Sequence, residues 1–137
     1  MEPGIVLSVS WGDADVTEVT VSASNRIFSA KAGVYCKPSV FTDVASALRG
    51  FPERHDDVRH IELGTHDHVA LQFSCIDRTG HCEVQVALIS YALGSRSGPN
   101  RATIIIPTLA AEVDAFIGQL NDLAAGKRTA AILDGRA

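Results

Sequence analysis

Apolar and polar positions alternate along most of this chain, and the longest such run lies between His66 and Leu93. Val69, Leu71, Phe73 and Cys75 alternate with Ala70, Gln72, Ser74 and Ile76. Cys82, Val84, Val86 and Leu88 alternate with Glu83, Gln85 and Ala87. A period of two residues puts successive side chains on opposite faces, so both runs predict half-buried strands of one long hairpin. Directly opposed residues of an antiparallel pair share a face. The apolar sets therefore match if Phe73 pairs with Val84, Leu71 with Val86, Val69 with Leu88 and Cys75 with Cys82. This register leaves Asp77-Arg78-Thr79-Gly80 as a four-residue loop, with Gly80 taking the positive φ at its end.

The same reading predicts strands at 4–11 (Ile5, Leu7, Val9, Trp11), around Val19-Val21-Ala23, and from Phe28 to Cys36 on one face of Ala30, Ala32 and Val34. Pro38-Ser39 should begin a helix, with Ser39 as N-cap and Asp43 favoured by the helix dipole. Val40, Phe41, Val44, Ala45 and Leu48 have helical spacing, and Gly50 and Pro52 end it. A short strand follows at 58–64. After the hairpin, Ser95–Asn100 reads as a loop and 102–106 as a buried strand. Pro107-Thr108 should start a second helix, with Leu109, Val113, Phe116, Ile117, Leu120 and Leu123 as its apolar stripe and Gly126 as its C-cap.

The order β-β-β-α-β-β-β-β-α predicts an α+β fold: a mainly antiparallel sheet of about seven strands with the helices covering one face. Residues 1–126 should form a single domain. The tail 127–137 could fray, although 129–133 could add a short strand.

Composition narrows the classes. At 137 residues, 46% hydrophobic and 20% charged, the chain is the size and make-up of one globular domain. A net charge of −4 argues against a broad nucleic-acid surface and suits a basic protein partner. No apolar run approaches the length of a membrane span. Met1-Glu2-Pro3-Gly4 lacks the positive and apolar regions of a leader. With three cysteines expected as free thiols, the chain is read as a cytoplasmic protein, monomer or homodimer.

Candidate chemistry is concentrated in 53–68, where Glu53, His55, Asp56, Asp57, His60, Glu62, His66, Asp67 and His68 stand close together. As a binding surface, Glu53, Asp56, Asp57, His60 and Glu62 would meet a partner, with the outward Tyr35 and Tyr91 as aromatic anchors. As a metal site, His66, His68, His60 and Asp67 offer imidazole and carboxylate donors, though in no established zinc spacing. Solvated histidines on a polar strand edge are the plain alternative. His81 beside Asp77 could do acid–base chemistry, but an Asp that opens a turn more often bonds the turn's own backbone. Gly94-Ser95-Arg96-Ser97-Gly98 lacks the strand–helix setting of a hydrolase nucleophile. There is no phosphate loop or dinucleotide fingerprint, and no cofactor is expected.

Glu62-Leu63-Gly64, His68-Val69-Ala70-Leu71-Gln72-Phe73 and Asp77-Arg78-Thr79-Gly80-His81-Cys82-Glu83-Val84-Gln85-Val86 form a further pattern. With the terminal amphipathic helix, it resembles the WapI-type immunity proteins and related small actinobacterial single-domain proteins over about residues 62–124. That resemblance implies a non-enzymatic protein that binds and neutralises a bacterial toxin domain. It assigns no catalytic role to His81. Two other readings stand beside it: a small metal-dependent enzyme using the 53–68 segment, and a homo-oligomeric small-molecule-binding module.

Overall fold

The computed structural model describes residues 2–91, 94 and 96–136. The chain is α+β, with two antiparallel four-stranded sheets and two helices. The first sheet has the order β3-β2-β1-β8, from β1 (Gly4–Gly12), β2 (Thr17–Ser24), β3 (Ser29–Cys36) and β8 (Ala130–Asp134). The second has the order β4-β5-β6-β7, from β4 (Val58–Leu63), β5 (His68–Cys75), β6 (His81–Ser90) and β7 (Asn100–Leu109). Helix α1 (Val40–Leu48) links β3 to β4, and α2 (Ala110–Ala124) links β7 to β8.

The single seven-stranded sheet is thus corrected to two sheets of four. Helix α1 carries the chain from the edge of one sheet to the edge of the other. The segment after α2 forms β8, which pairs with β1 across almost the full length of the chain. The sheets meet on two sides. Thr108 Oγ1 donates to the Asp134 carbonyl at 2.7 Å, and the Arg136 N–H donates to Pro107 O at 2.7 Å. On the other side, Gly64 approaches Val34 of β3, which a side chain at 64 would block.

Alternation decides which face is inside. Ile5, Leu7, Val19, Val21, Val34, Ala131 and Leu133 from one sheet join Val69, Leu71, Phe73, Val84, Val86 and Ile106 from the other in one core. Both helices add to it through Val40, Phe41, Val44, Leu48, Val113, Phe116 and Leu120. The helices therefore complete a core shared by two sheets rather than cover one face of a single sheet.

The hairpin forms in the expected register, including Phe73 with Val84 and Cys75 with Cys82. The Ile76 N–H donates to His81 O at 2.8 Å, and Gly80 has φ +92°. Asp77 braces the loop, its Oδ1 accepting from Thr79 N at 2.8 Å and His81 N at 3.2 Å. Leu93 and Ser95, in the expected hairpin end and following loop, lie outside the described residues.

Three local expectations differ. Ser39 makes no cap to the backbone; its hydroxyl donates instead to Asp43 Oδ2 at 2.9 Å. Pro107 and Thr108 continue β7 rather than start α2, which begins at Ala110. A proline is tolerated there because β7 is an edge strand, and the buried Thr108 hydroxyl has a carbonyl to bond. Phe28 precedes β3 and is exposed in the turn, where Asn25 Oδ1 accepts from the Phe28 N–H. Gly126 does end α2, with φ +76°. Among the described residues no helix is long and apolar enough to cross a membrane.

Candidate functional site

Among the described residues β4 is an edge strand paired with β5 alone, and α1 packs against it. What fixes the helix there is Arg59. Its Nη1 donates to the carbonyls of Ala47 (3.0 Å) and Arg49 (3.1 Å), which the last turn of α1 leaves without helical partners. Its Nε and Nη2 donate to Asp57 Oδ1 (3.1 Å) and Oδ2 (2.9 Å). Asp57 is buried and also accepts from Glu53 N at 2.9 Å. The Arg59 guanidinium, more than any other neighbour, holds the Asp57 carboxyl below the usual carboxylate range.

Between α1, the end of β3 and β4 lies a cleft of about 440 Å³. Its floor is apolar, with Val40, Val44, Ile61 and Leu63 all buried. Its rim is polar and exposed: Tyr35, Lys37, Asp43, His60, Glu62 and Thr65. An apolar floor with a few convergent polar groups is the usual form of a recognition site. Tyr35 stands 59% exposed, and a hydrogen bond to Glu18 on the neighbouring strand raises its hydroxyl pKa. Asp67 adds to that negative field. The half-buried Cys36 also lines the cleft, and burial pushes its thiol up.

Three of the sequence candidates, Tyr35, His60 and Glu62, thus share one cleft. The others do not. Asp57 is an internal brace. Glu53 serves it through its backbone N–H, and Asp56 forms an exposed ion pair with Arg54 at 2.8 Å. Tyr91 stacks on His66, with ring centroids 4.0 Å apart and planes 17° apart, and its N–H donates to Asp67 Oδ1 at 2.9 Å. His68 Nδ1 contacts Gly64 O at 3.0 Å, and its Nε2 is 3.9 Å from Glu62. Among the described residues no three His, Cys, Asp or Glu side chains converge as a metal site. His81 Nδ1 lies 2.8 Å from Asp77 Oδ2 on an exposed turn.

Sequence reading missed the contribution of α1 to the cleft. Val40 and Val44 were legible as helix positions, but apolar spacing does not distinguish a cleft floor from closed core. Asp43 gave no signal beyond helix-end chemistry, and Lys37 gave none.

No protein-family model, curated protein or solved structure matches this chain.

Proposed function

We propose that this chain is a non-enzymatic protein-binding domain that takes a partner in the cleft between α1 and β4. The observation that carries the reading is that Tyr35, His60 and Glu62 border an apolar-floored cleft beside an edge strand that, among the described residues, pairs with one neighbour alone. Such an edge can accept an extended segment through its backbone groups. The occupant proposed is an extended basic segment of a protein, with one apolar side chain seated on Val40, Val44 and Ile61. Glu62 and Asp43 on the rim, Glu18 behind Tyr35 and the net charge of −4 favour that sign.

The resemblance of the 62–124 pattern to immunity proteins extends the proposal. The partner is then a bacterial toxin domain, and the setting is the cytoplasm, to which three free thiols are suited.

The test is native capture with the wild-type chain and with a Tyr35→Ala/Glu62→Arg variant, read by mass spectrometry. Both side chains are exposed, so the variant keeps its fold. The reading predicts a stoichiometric partner retained by wild type and lost by the variant. A partner held equally by both, or bait recovered alone, would sink it.

A further inference from the structure

Cys75 and Cys82 face each other across the closed end of the hairpin. The hydrogen bond from Ile76 N to His81 O makes 76/81 a bonded pair, so the next pair inward, 75/82, is non-hydrogen-bonded. An independent bond agrees: the Cys75 N–H points away from β6 and donates to Asp57 O at 2.9 Å. Such pairs bring Cα atoms to about 4.5 Å, inside the roughly 4.4–6.8 Å range that disulfides bridge. Both side chains lie on the same buried face.

The two thiols differ in access. Cys75 borders a hollow of about 310 Å³ that Arg54, His55 and Arg78 also line. Cys82 is sealed at 1% exposure, and its thiol is pushed up to about 12, chiefly by burial and then by Cys75.

We propose that Cys75 and Cys82 are a modification site: a dithiol that a hydroperoxide converts reversibly to a cross-strand disulfide. The hollow admits the small oxidant to Cys75. Its thiolate attacks one peroxide oxygen, the O–O bond breaks, and Cys75 becomes a sulfenic acid as hydroxide leaves. The Cys82 sulfur then attacks the Cys75 sulfur, the S–O bond breaks, and water leaves. In sum, two thiols and one hydrogen peroxide give one disulfide and two waters, with two electrons passing from sulfur to peroxide. Cys75 now donates to Asp77 O (3.2 Å) and Cys82 to Gly80 O (3.6 Å); oxidation removes both donors and alters the loop they hold.

The experiment treats the reduced full chain with hydrogen peroxide and follows intact mass and peptide maps. The expected product is lighter by about 2 Da, contains a 75–82 cross-link, and returns to the starting mass with dithiothreitol. The Cys82→Ala variant should instead stop at a sulfenic acid on Cys75, trapped by dimedone. Sulfinic acid at Cys75 in the wild type, a cross-link between chains, or both thiols intact after Cys36 has reacted would each overturn the proposal.

Discussion

Asp57 and Arg59 grip each other through two hydrogen bonds, 3.1 Å from Nε to Oδ1 and 2.9 Å from Nη2 to Oδ2, at the start of β4. Only two positions apart, they face the same side of the strand. The pair fixes the 53–57 turn, while the remaining guanidinium nitrogen holds the end of α1. The cleft's width therefore depends on an ion pair that does not line it. Removing one partner of a buried pair strands the other, so Asp57→Ala should lower stability by about 3 kcal/mol. Arg59→Ala should cost a similar amount, and the double variant less than the sum, as read by urea denaturation.

Acid should act through the same carboxylate. Asp57 has a depressed folded pKa, so its contribution is complete above the unfolded value of 3.8 and fades as pH falls below it. Asp77 follows the same sign. Its carboxyl is lowered to about 2, first by the Thr79 hydroxyl and also by the Thr79 and His81 N–H groups, so its part is lost between 3.8 and about 2. Thermal midpoints should fall across that window, and Asp57→Asn should flatten the slope.

Gly64 has φ +77°, and a Cβ there would meet the Asp67 carbonyl and the Val34 side chain. Gly64→Ala should cost about 3 kcal/mol from backbone strain and overpacking together. Gly98 also has positive φ, +108°, but a methyl group there would meet nothing within 4 Å, so Gly98→Ala should cost only about 1 kcal/mol. Chemical denaturation of both variants checks the difference.

β8 belongs to the core rather than to a frayed tail. Ala131 and Leu133 are fully buried, and the Ile132 N–H donates to Gln119 Oε1 of α2 at 2.9 Å. Leu133→Ala should therefore destabilise by about 3 kcal/mol, a cost that a fraying tail would not show.

The hairpin was legible because its apolar period, its short loop and Gly80 all demand one register. The buried stripe of α1 was legible for the same local reason. The division into two sheets was not, since alternation names a strand's inner face but not its neighbour, and β1 finds β8 only through the assembled core. Pro107 misled because a helix-starting proline and an edge-strand proline look alike in sequence. For the site, outward-facing Tyr35, His60 and Glu62 could be picked by type and alternation. Asp57 looked equally available, and only the fold shows that Arg59 occupies it. Tyr91 was picked with Tyr35, but it stacks on His66 and does not line the cleft.

The most direct test of the binding cleft is amide hydrogen exchange of the chain free and with its captured partner. Protection should rise at 35–47 and 58–65, the residues of the β3 end, α1 and β4, with little change elsewhere. Protection confined to the outer face of β5, β6 and β7, with the α1–β4 cleft unchanged, would contradict the account.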